Sequence, residues 1–174
     1  MSKHSYTIFL PLIIASVVGC GSLDTVTYVP NTTEYFTNSS GKKIPGIEAH
    51  ERATGTVVSI SSDQLFELGG CEFTKQAASY LAKALQFANQ QQYKTMLIKG
   101  YTDNVAADEA QMNMTRSQAE AVASYFWSAG IPVKAMKVEG SAPSEYIGQQ
   151  ALSPKQLAGI RRVEISLLPQ GVKK

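Results

Sequence analysis

The sequence has few of the residues on which most catalytic and metal sites depend. Its 174 residues contain only two histidines and two cysteines. His4 and His50 both lie outside the segments that we expect to fold, which argues against Ser-His or Cys-His catalysis and against a histidine-based metal site. No carboxylate has a nucleophile, a base or a metal-ligand spacing attached to it. We therefore expect no enzyme activity, no metal and no cofactor.

Charge is also sparse. Charged residues make up 17% of the chain, and the formal net charge is +2. No run of Lys and Arg is interleaved with aromatic residues, so we expect no nucleic-acid partner. Hydrophobic residues make up 44%, an ordinary share for a globular protein. The length suits one domain with a real core, together with a leader or a tail.

Residues 1–19 have the features of an export signal. Lys3 precedes an apolar run from Tyr6 to Val18, and Gly19 follows this run. A charged start, a short apolar core and a small residue before a cleavage point are typical of a secretory signal peptide. The run is shorter than the roughly 20 residues that a membrane-spanning helix needs. A buried strand or helix is the alternative interpretation.

The end of this segment, Val17 to Cys20, resembles a bacterial lipobox. The resemblance implies cleavage just before Cys20 and acylation of this cysteine, with palmitate among its chains, and several acyl chains together anchor a protein stably. Gly21, where an Asp would retain the protein at the inner membrane, implies the outer membrane and its periplasmic face. An ordinary signal peptide with a coincidental cysteine is the alternative. If Cys20 carries lipid, Cys71 has no disulfide partner in the chain, and we expect it to be buried as a small hydrophobe.

The remaining chain is predicted to form a tether and one domain. Residues 20–52 contain Pro30, Pro45 and an Asn-Ser-Ser-Gly cluster, and they show no sustained hydrophobic period. This composition predicts a flexible tether behind the lipidated cysteine. The domain is predicted to cover residues 53–174.

Hydrophobic periodicity in this domain predicts four strands that alternate with three helices. The pattern is βαβαβαβ, an α+β fold with helices packed on one side of a small mixed sheet. The first two helices are predicted to begin at the N-caps Thr74 and Thr115, and Gly130 to end the second. Strands are predicted at 56–60, 95–100, 135–139 and 161–168, and a third helix from Ser153. The inward helix positions are predicted to be Ala77, Ala78, Leu81, Leu85 and Ala88, followed by Ala119, Val122 and Phe126.

Asp103 directly follows the predicted strand 95–100 in the stretch GYTDN. Ligand-binding groups gather at the carboxyl ends of strands, because the loops there are free of packing constraints. A site residue is one interpretation of this carboxylate. The alternative is an Asp that caps its own turn through the amides of Asn104 and Val105.

The segment from Leu65 to Leu168 resembles the OmpA C-terminal-like domain, a family that binds peptidoglycan. The matching motifs are LFELGG, GYTD at 100–103, Met114-Thr115 with Ala119 and Val122 after it, Gly130-Ile131, Gly140 and RRVEI at 161–165. The resemblance implies an OmpA-like sandwich and a site for the diaminopimelate of the stem peptide. The side chain of this ligand carries an ammonium and a carboxylate, which an acid and an arginine fork would match.

By this resemblance Asp103 is the acid that binds the ammonium, and Arg161 is an arginine near the ligand. Thr102 and Asn104, in the same loop, belong to the implied peptidoglycan-binding set. Arg162 follows Arg161 along a strand, so it points to the opposite face and is expected to make a structural salt bridge.

Gln118 also belongs to this set, but it stands where the family has a second arginine. An uncharged donor in place of a guanidinium is expected to lower affinity about tenfold. Arg116 lies about 200° around the helix from Gln118, so it cannot substitute, and a solvated charge is its simpler interpretation.

The resemblance implies a lipid-anchored outer-membrane protein that contacts peptidoglycan and links the outer membrane, or an envelope assembly, to the cell wall. Its implied partners are the stem peptide, the outer membrane through the lipid on Cys20, and other envelope or secretion-system proteins. The alternative is an OmpA-like scaffold lipoprotein of a secretion system, such as type IV, with weakened or lost peptidoglycan binding. Gln118 favours this alternative, as do the aromatic residues of the predicted tether, Tyr28, Tyr35 and Phe36.

Overall fold

The computed structural model describes residues 33–103, 109–141 and 159–169. Within these ranges the chain forms a single sheet with helices against it. The strands are β1 (Thr33–Thr37), β2 (Lys43–Arg52), β3 (Gly55–Ser61), β4 (Thr95–Tyr101), β5 (Met136–Ser141) and β6 (Arg162–Leu168). The helices are α1 (Ser62–Leu65), α2 (Ala77–Asn89) and α3 (Glu109–Ser128), with a 3-10 turn at Val133–Ala135. None of these helices has the length and apolar character needed to cross a membrane.

The sheet is mixed, and its strand order is β1-β2-β3-β6-β4-β5. Only β4 and β5 run parallel; the other described neighbours are antiparallel. One face carries the core, because Ile165 of β6 is level with Val58 of β3 and Ile98 of β4. The buried side chains of α2 and α3 belong to the same apolar cluster as this face. The predicted α+β architecture, with helices on a small mixed sheet, is confirmed.

Two strands lie where the sequence predicted a tether. Ile47 of β2 pairs with Ile60 of β3, and Ala49 pairs with Val58. Both β2 side chains are 1% exposed, so this strand is part of the core. The tether prediction is therefore wrong for residues 33–52, and the domain begins before residue 53. Pro45 and Gly46, the latter with φ +78°, interrupt the apolar alternation by which strands are recognised.

Residues 1–32, which include the predicted signal peptide, Cys20 and the first part of the predicted tether, lie outside the described residues, as does the predicted helix start at Ser153. The other predicted strands are present within a residue or two of their expected bounds. Because β1 and β2 precede β3, the described chain opens with three consecutive strands. The alternating βαβ pattern that the sequence predicted starts only at β3.

The two predicted N-caps are wrong. Thr115 lies inside α3, where its hydroxyl donates to the carbonyl of Met112 at 2.9 Å. Thr74 donates its hydroxyl to the carbonyl of Gln64 at 2.8 Å, and α2 begins only at Ala77. Threonine hydroxyls bond to nearby backbone in several local geometries, so the residue type alone does not mark a helix start.

The predicted end of α3 is confirmed at Gly130. This glycine has φ +100°, and the amide of Ile131 returns to the carbonyl of Phe126 at 3.0 Å. Such a left-handed glycine satisfies carbonyls in the last turn of a helix. Most predicted inward positions of α2 and α3 are buried, but Ala78 is exposed, and Leu85 is half-buried while Ala84 takes the core position.

Two glycines let α3 lie directly on the sheet. Gly100 of β4 pairs with Gly140 of β5. A Cβ on Gly100 would collide with the carbonyl oxygen of Thr115, and one on Gly140 with that of Met112. This close approach places the middle of α3 beside the loop that follows β4.

Candidate functional site: an arginine between two carboxylates

Arg161 lies directly before β6 and joins two carboxylates from other parts of the chain. Its Nη1 donates to Asp103 Oδ2 at 2.6 Å. Its Nε and Nη2 donate to the two oxygens of Asp63 at 3.3 and 3.1 Å. The antiparallel pairing of Tyr101 with Arg162 brings the end of β4 to the start of β6. Asp103 and Arg161 are thus neighbours, and the resemblance had implied that both belong to one site.

Asp63 is the member of this cluster that sequence reasoning missed. It lies in α1, immediately after β3, and Ser61 of β3 pairs with Arg162. The sequence signal was the same one that pointed to Asp103, namely a carboxylate just beyond an apolar strand. Without knowledge that β3 and β4 both flank β6, nothing connected the two acids.

The two carboxylates raise the pKa of Arg161 above its usual range. The hydrogen bonds from the guanidinium to Asp63 and then to Asp103 are the main causes, and burial opposes them. The guanidinium therefore keeps its charge at every physiological pH. The side chains of Arg161 and Asp103 are 35% and 28% exposed, so the cluster remains in contact with water.

A cavity of about 170 Å³ opens beside this cluster. It is smaller than the roughly 300–1,000 Å³ of most small-molecule pockets and has the space of about five or six waters. Its described lining comes from α1 and the loop after it, from the end of β4 and from α3: Ser62, Asp63, Phe66, Glu67, Leu68, Gly69, Tyr101, Thr102, Asp103, Met114, Thr115, Gln118 and Arg161.

Gln118 reaches the cavity but is already engaged by the protein. Its side chain is buried, and its Nε2 donates to the carbonyl of Gly70 at 2.8 Å. The turn that it contacts is closed by hydrogen bonds from Glu67 N to Glu72 O and from Gly70 N to Glu67 O. The Gln118 amide therefore ties α3 to the loop that borders the cavity.

Thr102 is buried, and its hydroxyl lies 3.5 Å from Asp103 Oδ1. Asn104, the remaining member of the predicted set, lies outside the described residues. Four of the five predicted residues therefore line the cavity together, namely Thr102, Asp103, Gln118 and Arg161.

Arg116 and Arg162 behave as the sequence analysis expected. Arg116 donates to Glu120 at 3.1 Å on the exposed side of α3, and its side chain is 62% exposed. Arg162 lies on the opposite face of the sheet, where it donates to Glu164 at 2.8 Å and stacks over Tyr101. Neither side chain lines the cavity.

Cys71 lies beside the turn that Gln118 holds. It is a free thiol, and its Sγ is 3.8 Å from the carbonyl oxygen of Met114. Burial raises the pKa of this thiol. The residue is only half-buried, so the expectation of full burial is wrong.

Comparison with known proteins identifies the family of this chain. Residues 65–156 match the model of the OmpA family, which covers more than half of the chain, and the chain therefore belongs to the OmpA family. Outer membrane protein P5 of Haemophilus influenzae is 29% identical over an alignment of 132 residues that covers 71% of this chain. The chain spans about 37% of the length of that relative.

Two solved structures share the fold. The periplasmic domain of Helicobacter pylori MotB has a TM-score of 0.66 at 16% identity, over 81% of this chain and 89% of that one. The cell wall anchor of the T6SS from Pseudomonas aeruginosa has a TM-score of 0.61 at 20% identity, over 72% of this chain and 89% of that one. At these identities the likeness concerns the fold alone.

Proposed function

We propose that this protein is a lipid-anchored outer-membrane protein that contacts peptidoglycan and links the outer membrane, or an envelope assembly, to the cell wall. The observation that carries the proposal is the pairing of Asp103 with Arg161 at the rim of a small cavity in an OmpA-family chain. The names of the compared proteins agree with a place in the envelope, because one is an outer membrane protein and another is a cell wall anchor.

The proposed contact is between Asp103 and the ammonium of the diaminopimelate in the stem peptide. An ammonium has three donors and no acceptor, so it suits a carboxylate that still has a free oxygen. Oδ2 of Asp103 accepts a hydrogen bond from Arg161, whereas the contact of Oδ1 among the described residues is the Thr102 hydroxyl at 3.5 Å. Thr102, Asn104 and Gln118 would complete the surroundings of the ligand.

The proposed anchor is the lipid on Cys20, with residues 1–19 removed as a signal peptide. Anchoring would keep the domain near the wall at a high effective concentration, so a weak contact suffices to hold it there. Replacing Cys20 by Ser tests this part of the proposal. We expect the Cys20→Ser protein to incorporate no labelled palmitate in cells; incorporation equal to that of the unchanged chain would contradict the lipid anchor.

Co-sedimentation with purified diaminopimelate-type sacculi tests the peptidoglycan contact. The full-length protein is extracted in detergent, and its bound fraction is compared with that of Asp103→Ala and of Arg116→Ala. We expect Asp103→Ala to lose most of the bound fraction. The Arg116→Ala control removes a cation that lies outside the cavity, and its binding should match the unchanged chain. Absence of the unchanged protein from the pellet, at concentrations where a Gln118→Arg variant sediments, would overturn the proposal.

A scaffold role in a secretion system, such as type IV, is the second candidate. It is favoured by Leu68 and Trp127, whose surfaces are 98% and 62% exposed, because large exposed apolar residues are common at protein interfaces. In this case the protein would remain in its envelope complex after Asp103→Ala but not after Trp127→Ser, a change outside the lining of the cavity. Cross-linking in cells followed by sizing of the complex distinguishes the two roles.

A further inference from the structure

We propose that the cavity beside Asp103 and Arg161 is an ammonium site that offers no unpaired cation to a ligand carboxylate. Its preferred ligands are then stem peptides whose diamino acid ends in an amine without a free carboxylate beside it, such as amidated diaminopimelate or lysine. This inference rests on the proposed function, since it names the ligand chemistry of the same site.

The charge of the cavity is the first argument. Its described lining contains the carboxylates of Asp63, Glu67 and Asp103, and Arg161 is its only cation. The formal charge of this lining is therefore −2. A cationic group enters such a site favourably, whereas a carboxylate that accompanies it is repelled.

Arg161 is the second argument, because each of its three nitrogens already donates to a carboxylate oxygen of this chain, two on Asp63 and one on Asp103. Two of its five N–H groups take no part in these bonds, but two carboxylates already surround the single positive charge. A ligand carboxylate on the remaining N–H groups would be a third anion around one cation, so its binding is unfavourable.

The neighbouring α3 position offers no replacement cation. Gln118 is uncharged, and its Nε2 is engaged with the carbonyl of Gly70. Arg116 is paired with Glu120 on the exposed side of the helix, and Arg162 lies on the far face of the sheet with Glu164. Within the described part of the chain, no other Lys or Arg lines the cavity.

Asp103 Oδ1 is the atom at the cavity that remains able to receive an ammonium. Among the described residues its contact is the Thr102 hydroxyl, at the limit of hydrogen-bond distance. Ser62 also lines the cavity, but its Oγ is buried from solvent, so a ligand there does not contact this hydroxyl.

The test uses three synthetic tripeptides, L-Ala-D-Glu followed by meso-diaminopimelate, by its side-chain carboxamide, or by L-lysine. Their dissociation constants are measured by calorimetry with the full-length protein in detergent. We expect the carboxamide and lysine peptides to bind roughly fivefold more tightly than the free acid, the effect of one like-charge contact at about 4 Å in water. A fourth peptide with Nε-acetyl-lysine lacks the ammonium and should not bind.

Gln118→Arg is the matched variant, because it restores a cation beside the cavity. We expect it to reverse the order, so that the free acid binds best. A free acid that binds the unchanged protein as tightly as the carboxamide, or more tightly, would overturn the inference. Binding to sacculi with no binding to any tripeptide would overturn it as well. Loss of sacculus binding altogether would instead remove the proposed function, so the two failures are distinguishable.

Discussion

Arg161 and Asp103 are 58 positions apart in sequence, and their side chains meet at 2.6 Å. The same guanidinium holds both oxygens of Asp63, so one cation fixes the ends of β3, β4 and β6 relative to one another. The cluster therefore stabilises the arrangement of these three strands, and it also lines the candidate cavity.

Arg161→Lys is expected to lower the free energy of unfolding by about 1 kcal/mol at low salt. A lysine ammonium is a single point charge and cannot hold both carboxylates in the geometry of the planar fork, and the partial exposure of the cluster limits the loss. Urea unfolding at low salt and in 1 M NaCl measures it, and the difference should shrink at high salt because screening weakens the ion pairs. Arg116→Lys, which alters one exposed pair on α3, is the control and should cost about 0.3 kcal/mol or less. Equal decreases in the free energy of unfolding for the two variants would contradict the view that Arg161 stabilises the arrangement of the three strands.

Gly100→Ala is expected to destabilise the domain by about 2–3 kcal/mol. The added Cβ would collide with the backbone carbonyl of Thr115, so α3 would have to move away from β4. Gly159→Ala is the matched control, because a Cβ there meets no atom within 4 Å among the described residues other than its chain neighbours. The midpoints of urea unfolding compare the two variants. An unchanged midpoint for Gly100→Ala would mean that α3 does not pack on β4 as closely as described.

Ile47→Ala is expected to cost about 3 kcal/mol, as large-to-small changes in a core do. The Ile47 side chain is 1% exposed and lies in the same cluster as the core of the sheet. The neighbouring Glu48→Ala removes a side chain that is 41% exposed and should change stability by about 0.5 kcal/mol or less. Thermal unfolding of both variants checks this, and equal melting temperatures would mean that β2 is not part of the folded domain.

Cys71 is expected to react slowly with iodoacetamide near pH 8. Burial raises the pKa of this thiol above its ordinary value of 9.0, so less of the reactive thiolate is present in the folded protein. The stability that this group contributes is complete below the unfolded pKa and is lost as pH rises through the higher folded pKa. The alkylation rate of a Cys20→Ser chain, in which Cys71 is the only thiol, is measured from pH 7 to pH 11, folded and in urea. A folded-state midpoint at or below that in urea would contradict the prediction.

The sequence by itself was sufficient for the family and for most of the architecture. Strands such as Arg162–Leu168 alternate apolar and polar residues, and the end of α3 has a glycine, so both follow from local rules that need no partner. The resemblance carried by the motifs GYTD and RRVEI likewise implied that Asp103 and Arg161 belong to one site. Residues 33–52 escaped prediction, since Pro45 and Gly46 break the alternation and only pairing with β3 makes this segment a strand.

Only the tertiary structure decided what these residues do together. Asp63 joins Arg161 across a sequence separation of 98, a contact set by strand order rather than by any local pattern. The engagement of Gln118 with the carbonyl of Gly70 likewise depends on how closely α3 approaches the loop after α1. Local sequence determines the hydrophobic period and the ends of helices and strands. The partners of a charged or polar side chain depend instead on which helices and strands become neighbours in the fold. The sequence was enough to single out Asp103 at the end of GYTD. It did not show that Arg161 is also paired with Asp63.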